Sequence, residues 1–172
     1  VAKMNAREVA YAGIFIALIA VSAQISVNIG PVPLTFQVFA VLLTGLLLGP
    51  RLGFLSVLSY DIAGAIGLPV FAGFTGGIAH LYGPTGGYLL AFPIAAFMAG
   101  LSKGKGGKAK LVASLVAIAL IYVLGWLRLG LYFGGNFGKA FELGVAPFVI
   151  PDLIKALIAV EISEVVERRL EL

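Results

Sequence analysis

The sequence predicts an all-α integral membrane protein: six transmembrane helices in one compact bundle, with long outer loops over a ligand pocket. Three observations predict it. The 172 residues are 60% hydrophobic and 12% charged, with a mean hydropathy of +1.07, more apolar than a water-soluble core of this size can hide behind polar surface. Apolar stretches long enough to cross roughly 30 Å of hydrocarbon, at about 1.5 Å per residue, recur from end to end. They are evenly apolar where barrel strands would alternate, so helices, which satisfy their own backbone hydrogen bonds in lipid, are the remaining choice. No soluble domain or long linker fits between them, and residues 1–172 read as a single membrane domain.

The first span is expected at about 8–28, closed by the rigid Gly30-Pro31-Val32-Pro33 turn. Five more apolar segments follow it, so it reads as a permanent helix and not as a signal peptide. The second, 35–48, is short because Gly49-Pro50 stops it, and the third covers 52–66. From Gly67 to Gly87 a Gly- and Pro-rich stretch interrupts the helical pattern for longer than a turn requires. The fourth span is 88–101, a Lys/Gly hairpin follows from Ser102 to Lys110, and the fifth is 111–127. A second irregular stretch, Arg128 to Pro147, precedes the last span at 148–166.

Six crossings put both termini on one side. That side carries Lys3, Arg7, Arg51, Lys103, Lys105, Lys108, Lys110, Arg168 and Arg169, whereas the opposite loops hold only Arg128 and Lys139. Nine cations against two predict cytoplasmic termini in an inner, cytoplasmic membrane. The three Gly/Pro-rich connections then face outward. Irregular backbone at membrane depth is tolerated only when buried in protein or lining a cavity, so these loops read as a lid or vestibule. The net charge of +4 does not indicate nucleic acid, because the basic residues sit at segment ends and form no interleaved patch. The absence of cysteine and the single His80 exclude disulfides and thiolate sites and argue against a histidine-rich metal centre.

Ionisable groups inside a membrane are costly and are functional candidates by default. Asp152 and Lys155 stand three apart on the last helix, so both project from one face near its outer end, where an acceptor and a cation meet a polar ligand together. The plainer alternative is that Pro151 opens the helix, Asp152 complements its dipole and Lys155 neutralises Asp152. Asp61, at mid-depth of the third span beside Tyr60, fits a proton-relay or ligand role and equally a structural hydrogen bond. Gln37 is a candidate ligand contact or a helix-to-helix bond. Small residues at helical spacing, Ala6, Ala10, Gly13 and Ala17 on the first span and Ala91, Ala95 and Ala99 on the fourth, allow close helix approach, within the chain or with a partner. Gly104-Lys105-Gly106-Gly107-Lys108-Ala109 satisfies a loose dinucleotide pattern but follows a membrane helix, and with Ser102 and Ala109 it fails as a phosphate-binding loop. The chain is therefore not itself an ATPase.

Gly67-Leu68-Pro69-Val70-Phe71-Ala72-Gly73, Gly76-Gly77 and Gly83-Pro84-Thr85-Gly86-Gly87-Tyr88 follow one another at close spacing. Pro31-Val32-Pro33-Leu34-Thr35-Phe36-Gln37 leads to Gly49-Pro50, and Gly144-Val145-Ala146-Pro147-Phe148 leads to Asp152-Leu153-Ile154-Lys155-Ala156. In these blocks, which cover nearly the whole chain, the sequence resembles the BioY-type biotin-binding S component of energy-coupling-factor (ECF) transporters. The resemblance implies a six-helix subunit that holds biotin in an outward pocket, with no cofactor, the vitamin being the transported ligand. It associates Asp152 and Lys155 with that ligand, Asp152 accepting ureido N–H bonds and Lys155 meeting either the ureido carbonyl or the carboxylate. Positions near outer ends nominate Phe36, Phe71, Tyr82, Tyr88 and Trp126 as apolar walls. Gly13 and Ala17 would dock a transmembrane coupling subunit that in turn binds two ATPases. One departure is local: family members often carry Pro-Gly before the last-helix aspartate, where this chain has Ile150-Pro151.

Three other readings compete, an S component for a different vitamin, an intramembrane aspartyl protease built on Asp61 and Asp152, and an autonomous transporter. The second wants Gly-x-Gly-Asp at its second aspartate, and the residues here are Val149-Ile150-Pro151-Asp152.

Overall fold

The computed structural model describes residues 3–170, and these build a helical bundle. In chain order the elements are α1 (Ala6–Gln24), β1 (Ser26–Val27), β2 (Leu34–Thr35), α2 (Gln37–Leu48), α3 (Pro50–Ala65), α4 (Ala79–Tyr82), α5 (Gly86–Gly100), α6 (Gly107–Tyr132), α7 (Phe137–Gly144), a 3-10 turn at Ala146–Phe148, and α8 (Val149–Leu170). Three runs are long and apolar enough to cross a membrane: Ala6–Gln24, Gly107–Tyr132 and Phe137–Leu170.

Helix α1 starts where Asn5 accepts from the Glu8 N–H and the Glu8 carboxylate accepts from the Asn5 N–H, both at 2.9 Å. This reciprocal pair satisfies donors that a helix start leaves open. Helix α2 is the hub. At 12 residues it is only about 18 Å long, yet it is buried from Gln37 to Leu47 and packs on α1, α3, α5 and α8. Gly49, with φ of +85°, turns the chain so that Pro50 opens α3. A Cβ on Gly53 would stand 3.0 Å from the Gly45 Cα, so two glycines let α2 and α3 lie backbone to backbone.

The two small-residue series behave differently. Ala91, Ala95 and Ala99 are wholly buried on α5, which packs against α2, α3 and α6. Ala6, Ala10, Gly13 and Ala17 are exposed along α1, and a Cβ on Gly13 would meet nothing within 4 Å.

The Gly/Pro-rich connections are more ordered than their composition suggests. The chain leaves α1 at Gln24, four residues before the expected end at 28, because Ser26–Val27 pairs antiparallel with Leu34–Thr35 around the Gly30–Pro33 turn. The long stretch after α3 folds into a tight hairpin closed by a Phe71–Thr75 bridge, then the single turn α4. Helix α6 runs to Tyr132, past the expected end at 127, because Arg128 does not break it. It ends at Gly134 and Gly135, whose φ values of +68° and +96° no helix continues.

Candidate functional site

The N-terminal ends of α2, α5 and α8 converge at one end of the bundle, and between them lies a cavity of about 460 Å³. It is lined by Pro31, Val32, Pro33 and Thr35 from the ribbon, Gln37 and Val38 from α2, Phe71, Ala72 and Thr75 from the hairpin, and Ala79, His80 and Gly83–Thr85 around α4. Tyr88, Leu89 and Phe92 of α5, Ile121 and Tyr122 of α6, Phe148, and Asp152 and Lys155 of α8 complete it.

Asp152 and Lys155 form its polar end. The Lys155 ammonium donates to Asp152 Oδ1 at 2.9 Å and to the Thr35 carbonyl at 2.6 Å. The Tyr122 hydroxyl donates to Asp152 Oδ2 at 2.7 Å. Both charged residues are buried, at 1% and 7% exposure, and an ion pair at that depth persists only when further hydrogen bonds replace lost hydration. Tyr122 and the Thr35 carbonyl supply them. The pair is neutral as a unit while retaining spare lone pairs on Asp152 and a third N–H on Lys155, so it presents an acceptor and a donor side by side with no net charge.

A hydrogen-bond relay behind the cavity holds Gln37 and the hairpin. Gln37 Nε2 donates to Tyr60 Oη at 2.9 Å, and Tyr60 Oη donates to the Val70 carbonyl at 2.8 Å. Gln24 clamps the same hairpin to α1, donating to the Phe71 carbonyl at 3.0 Å and accepting from the Phe74 N–H at 2.7 Å. Phe71 is thereby held against Gly64, where any Cβ would run into its ring. Its edge meets Tyr60 and His80 at centroid distances of 5.8 and 5.4 Å. Tyr88 lies in a slot beside Gly125 and donates to the Gly144 carbonyl at 2.6 Å, joining α5 to α7.

Of the residues that sequence reasoning nominated, Asp152, Lys155, Gln37, Phe71 and Tyr88 meet in this cavity. Phe36, Tyr82 and Trp126, the other nominated walls, are not among its lining residues. Trp126 turns away on α6, where its indole N–H donates to the Phe137 carbonyl at 2.7 Å and its ring meets Phe137 and Phe141. It braces α7. Tyr82 is 71% exposed, and its carbonyl accepts from the Arg128 guanidinium. Phe36 stacks on Phe39 at 4.6 Å. Tyr122, Phe92, Phe148 and Ile121 were missed. Tyr122 carried a usable signal, since a hydroxyl in the middle of an apolar helix needs a buried partner.

Asp61 is buried in α3, away from the cavity, and neither carboxylate oxygen has a hydrogen-bond partner among the described residues. Of the two readings of Asp61, the structural hydrogen bond finds no partner among the described residues. A carboxylate dyad requires two acids sharing one site, and only Asp152 of the two reaches the cavity, which removes the geometry of an aspartyl protease.

Fold and site together define an α-helical membrane protein with a small-molecule cavity at one end. The family model for BioY matches residues 1–172, and the chain belongs to the BioY family. It is 59% identical over 161 residues to the "Probable biotin transporter BioY" of Pyrococcus horikoshii, covering 94% of this chain and 96% of that one. It is 48% identical over 159 residues to the biotin transporter BioY of Thermotoga maritima, covering 91% and 94%. A crystal structure of the S-component for biotin from an ECF-type ABC transporter superposes with a TM-score of 0.88 at 26% identity, covering 97% of this chain and 95% of that one.

Proposed function

We propose that this chain captures biotin and passes it across the membrane as the substrate-binding subunit of an ATP-driven ECF importer. It acts as a carrier and not as an enzyme. The observation that carries the reading is the neutral Asp152–Lys155 pair, braced by Tyr122 and set in a cavity walled largely by apolar side chains. Biotin offers a fused ureido group with two N–H donors beside one carbonyl, an apolar bicycle, and a carboxylate tail. An already neutralised acid–base pair suits an uncharged donor–acceptor edge better than a free carboxylate, whose charge would find Lys155 already paired. Asp152 therefore accepts ureido N–H bonds and Lys155 gives its third N–H to the ureido carbonyl. Phe71, Tyr88, Phe92 and Phe148 enclose the bicycle, and Gln37 faces it from α2. A cavity of about 460 Å³ lies within the range of small-molecule sites.

In this reading α1, α2, α3, α5, α6 and α8 are the six crossings of a single membrane domain. The cation-rich ends lie in the cytoplasm with both termini, and the ribbon, the 71–75 hairpin and α4 form the outer cover of the cavity. The exposed stripe of Ala6, Ala10, Gly13 and Ala17 on α1 is the surface offered to a transmembrane coupling subunit, which carries two ATPases.

Equilibrium dialysis of the purified chain against labelled biotin tests the capture step. One saturable site per chain is expected, and no saturable binding rejects the proposal. Proteoliposomes test the transport step, with ATP-dependent accumulation expected only when the coupling subunit and ATPases are present.

A further inference from the structure

The ureido group is only one end of biotin, and the carboxylate on its tail must also be met. With Asp152 and Lys155 engaged at the ureido edge, that charge falls to another part of the wall. Of the side chains that line the cavity, only Lys155 and His80 can carry a positive charge. Most of the neutral donors are engaged: Tyr122 gives its hydroxyl hydrogen to Asp152, Tyr88 to the Gly144 carbonyl and Thr75 to the Ala72 carbonyl. His80 is not. Its ring meets the edge of Phe71 at a centroid distance of 5.4 Å, and neither ring nitrogen has a hydrogen-bond partner among the described residues.

We infer that His80 receives the carboxylate of the ligand, donating an imidazole N–H to it and so setting a preference for the free acid over neutral derivatives of the vitamin. The inference rests on the biotin reading of the cavity. The place of His80 in the fold favours it. His80 sits on α4, a single turn whose Ile78 and Tyr82 are 58% and 71% exposed, and it is itself half-buried. A carboxylate beside it keeps part of its hydration, where one buried outright without a partner would be costly. The acid tail of biotin leaves from the sulfur-bearing ring, away from the ureido edge, so its carboxylate needs a donor on an element other than α8. Imidazole offers an N–H in either protonation state and a full charge when protonated. Packing against Phe71 alone would be served as well by a phenylalanine.

The test is calorimetric titration of the purified full chain with biotin and with biotin methyl ester, which differs in having its carboxylate capped. Wild type is expected to bind the acid about tenfold more tightly than the ester. In His80→Phe, which keeps a ring against Phe71, the acid should weaken about tenfold while the ester is unchanged, so that the preference disappears. His80→Ala should abolish the preference too, whatever packing it loses, because the ratio of the two affinities is compared. Melting temperature shows that each variant is folded. Equal wild-type affinity for acid and ester, a preference that survives both substitutions, or a parallel loss of both ligands in His80→Phe would overturn the inference, the last leaving His80 a packing residue. No saturable binding of biotin by wild type would overturn the reading of the cavity itself, and the inference with it.

Discussion

Asp152 has both carboxylate oxygens engaged, one by Lys155 and one by Tyr122, so its orientation is fixed by two elements at once. Asp152→Asn or Lys155→Ala removes half of a buried pair. Each is expected to weaken biotin binding at least tenfold, about 1.4 kcal/mol, as read by calorimetry on the purified variants. Tyr122→Phe removes one hydrogen bond to a charged group and is expected to cost roughly tenfold in the same assay. Asp152 and Lys155 were legible in the sequence because charge in lipid is rare and a spacing of three puts both on one helical face. Tyr122 was not, because its partner is 30 residues away and depends on how α6 and α8 face each other. The same rotation of α6 that brings Tyr122 to the cavity turns Trp126, four residues on, toward α7. Depth in the membrane can be read from sequence position, but the direction a helix face takes in a bundle cannot.

Helix ends and close approaches set the site from a distance. Gly125 gives Tyr88 its slot, and Gly125→Val would force the ring against the cavity. That overpacking is expected to cost about 1–3 kcal/mol in stability and to weaken biotin binding although Gly125 lines no part of the cavity, with thermal melting and titration as the paired readouts. At the other end Lys110 of α6 meets Glu167 of α8 at 2.5 Å, with side-chain exposures of 1% and 13%. Glu167→Gln leaves a buried ammonium without its counter-charge and is expected to destabilise the fold by about 3–5 kcal/mol. The double variant Lys110→Met, Glu167→Leu should recover most of the lost melting temperature. The six longer helices were readable within about five residues, since long apolar runs and Gly-Pro breaks act locally, whereas α4 and α7 fall inside stretches read as irregular. Where Arg128 was expected to end a helix, its guanidinium instead reaches the Tyr82 carbonyl, a contact across 46 residues that local pattern does not contain.

At the scale of the whole molecule, the positions of two cavities give the bundle a polarity: the cavity at Asp152 and Lys155 at one end, the groove beside Arg7 and Lys103 at the other. The chain has no cysteine, so single substitutions report sidedness directly. Lys105→Cys is expected to react with a membrane-impermeant maleimide only from the cytoplasmic face, and Lys139→Cys only from the outside. The reverse pattern would invert the bundle. The most direct measurement of the central claim is a calorimetric titration of the purified wild-type chain, and of Asp152→Asn, with biotin, thiamin and riboflavin in parallel. The expected result is saturable binding of biotin alone by wild type, at one site per chain, and at least about tenfold weaker binding by the variant. Preference for another vitamin, or equal biotin affinity in both proteins, would contradict it.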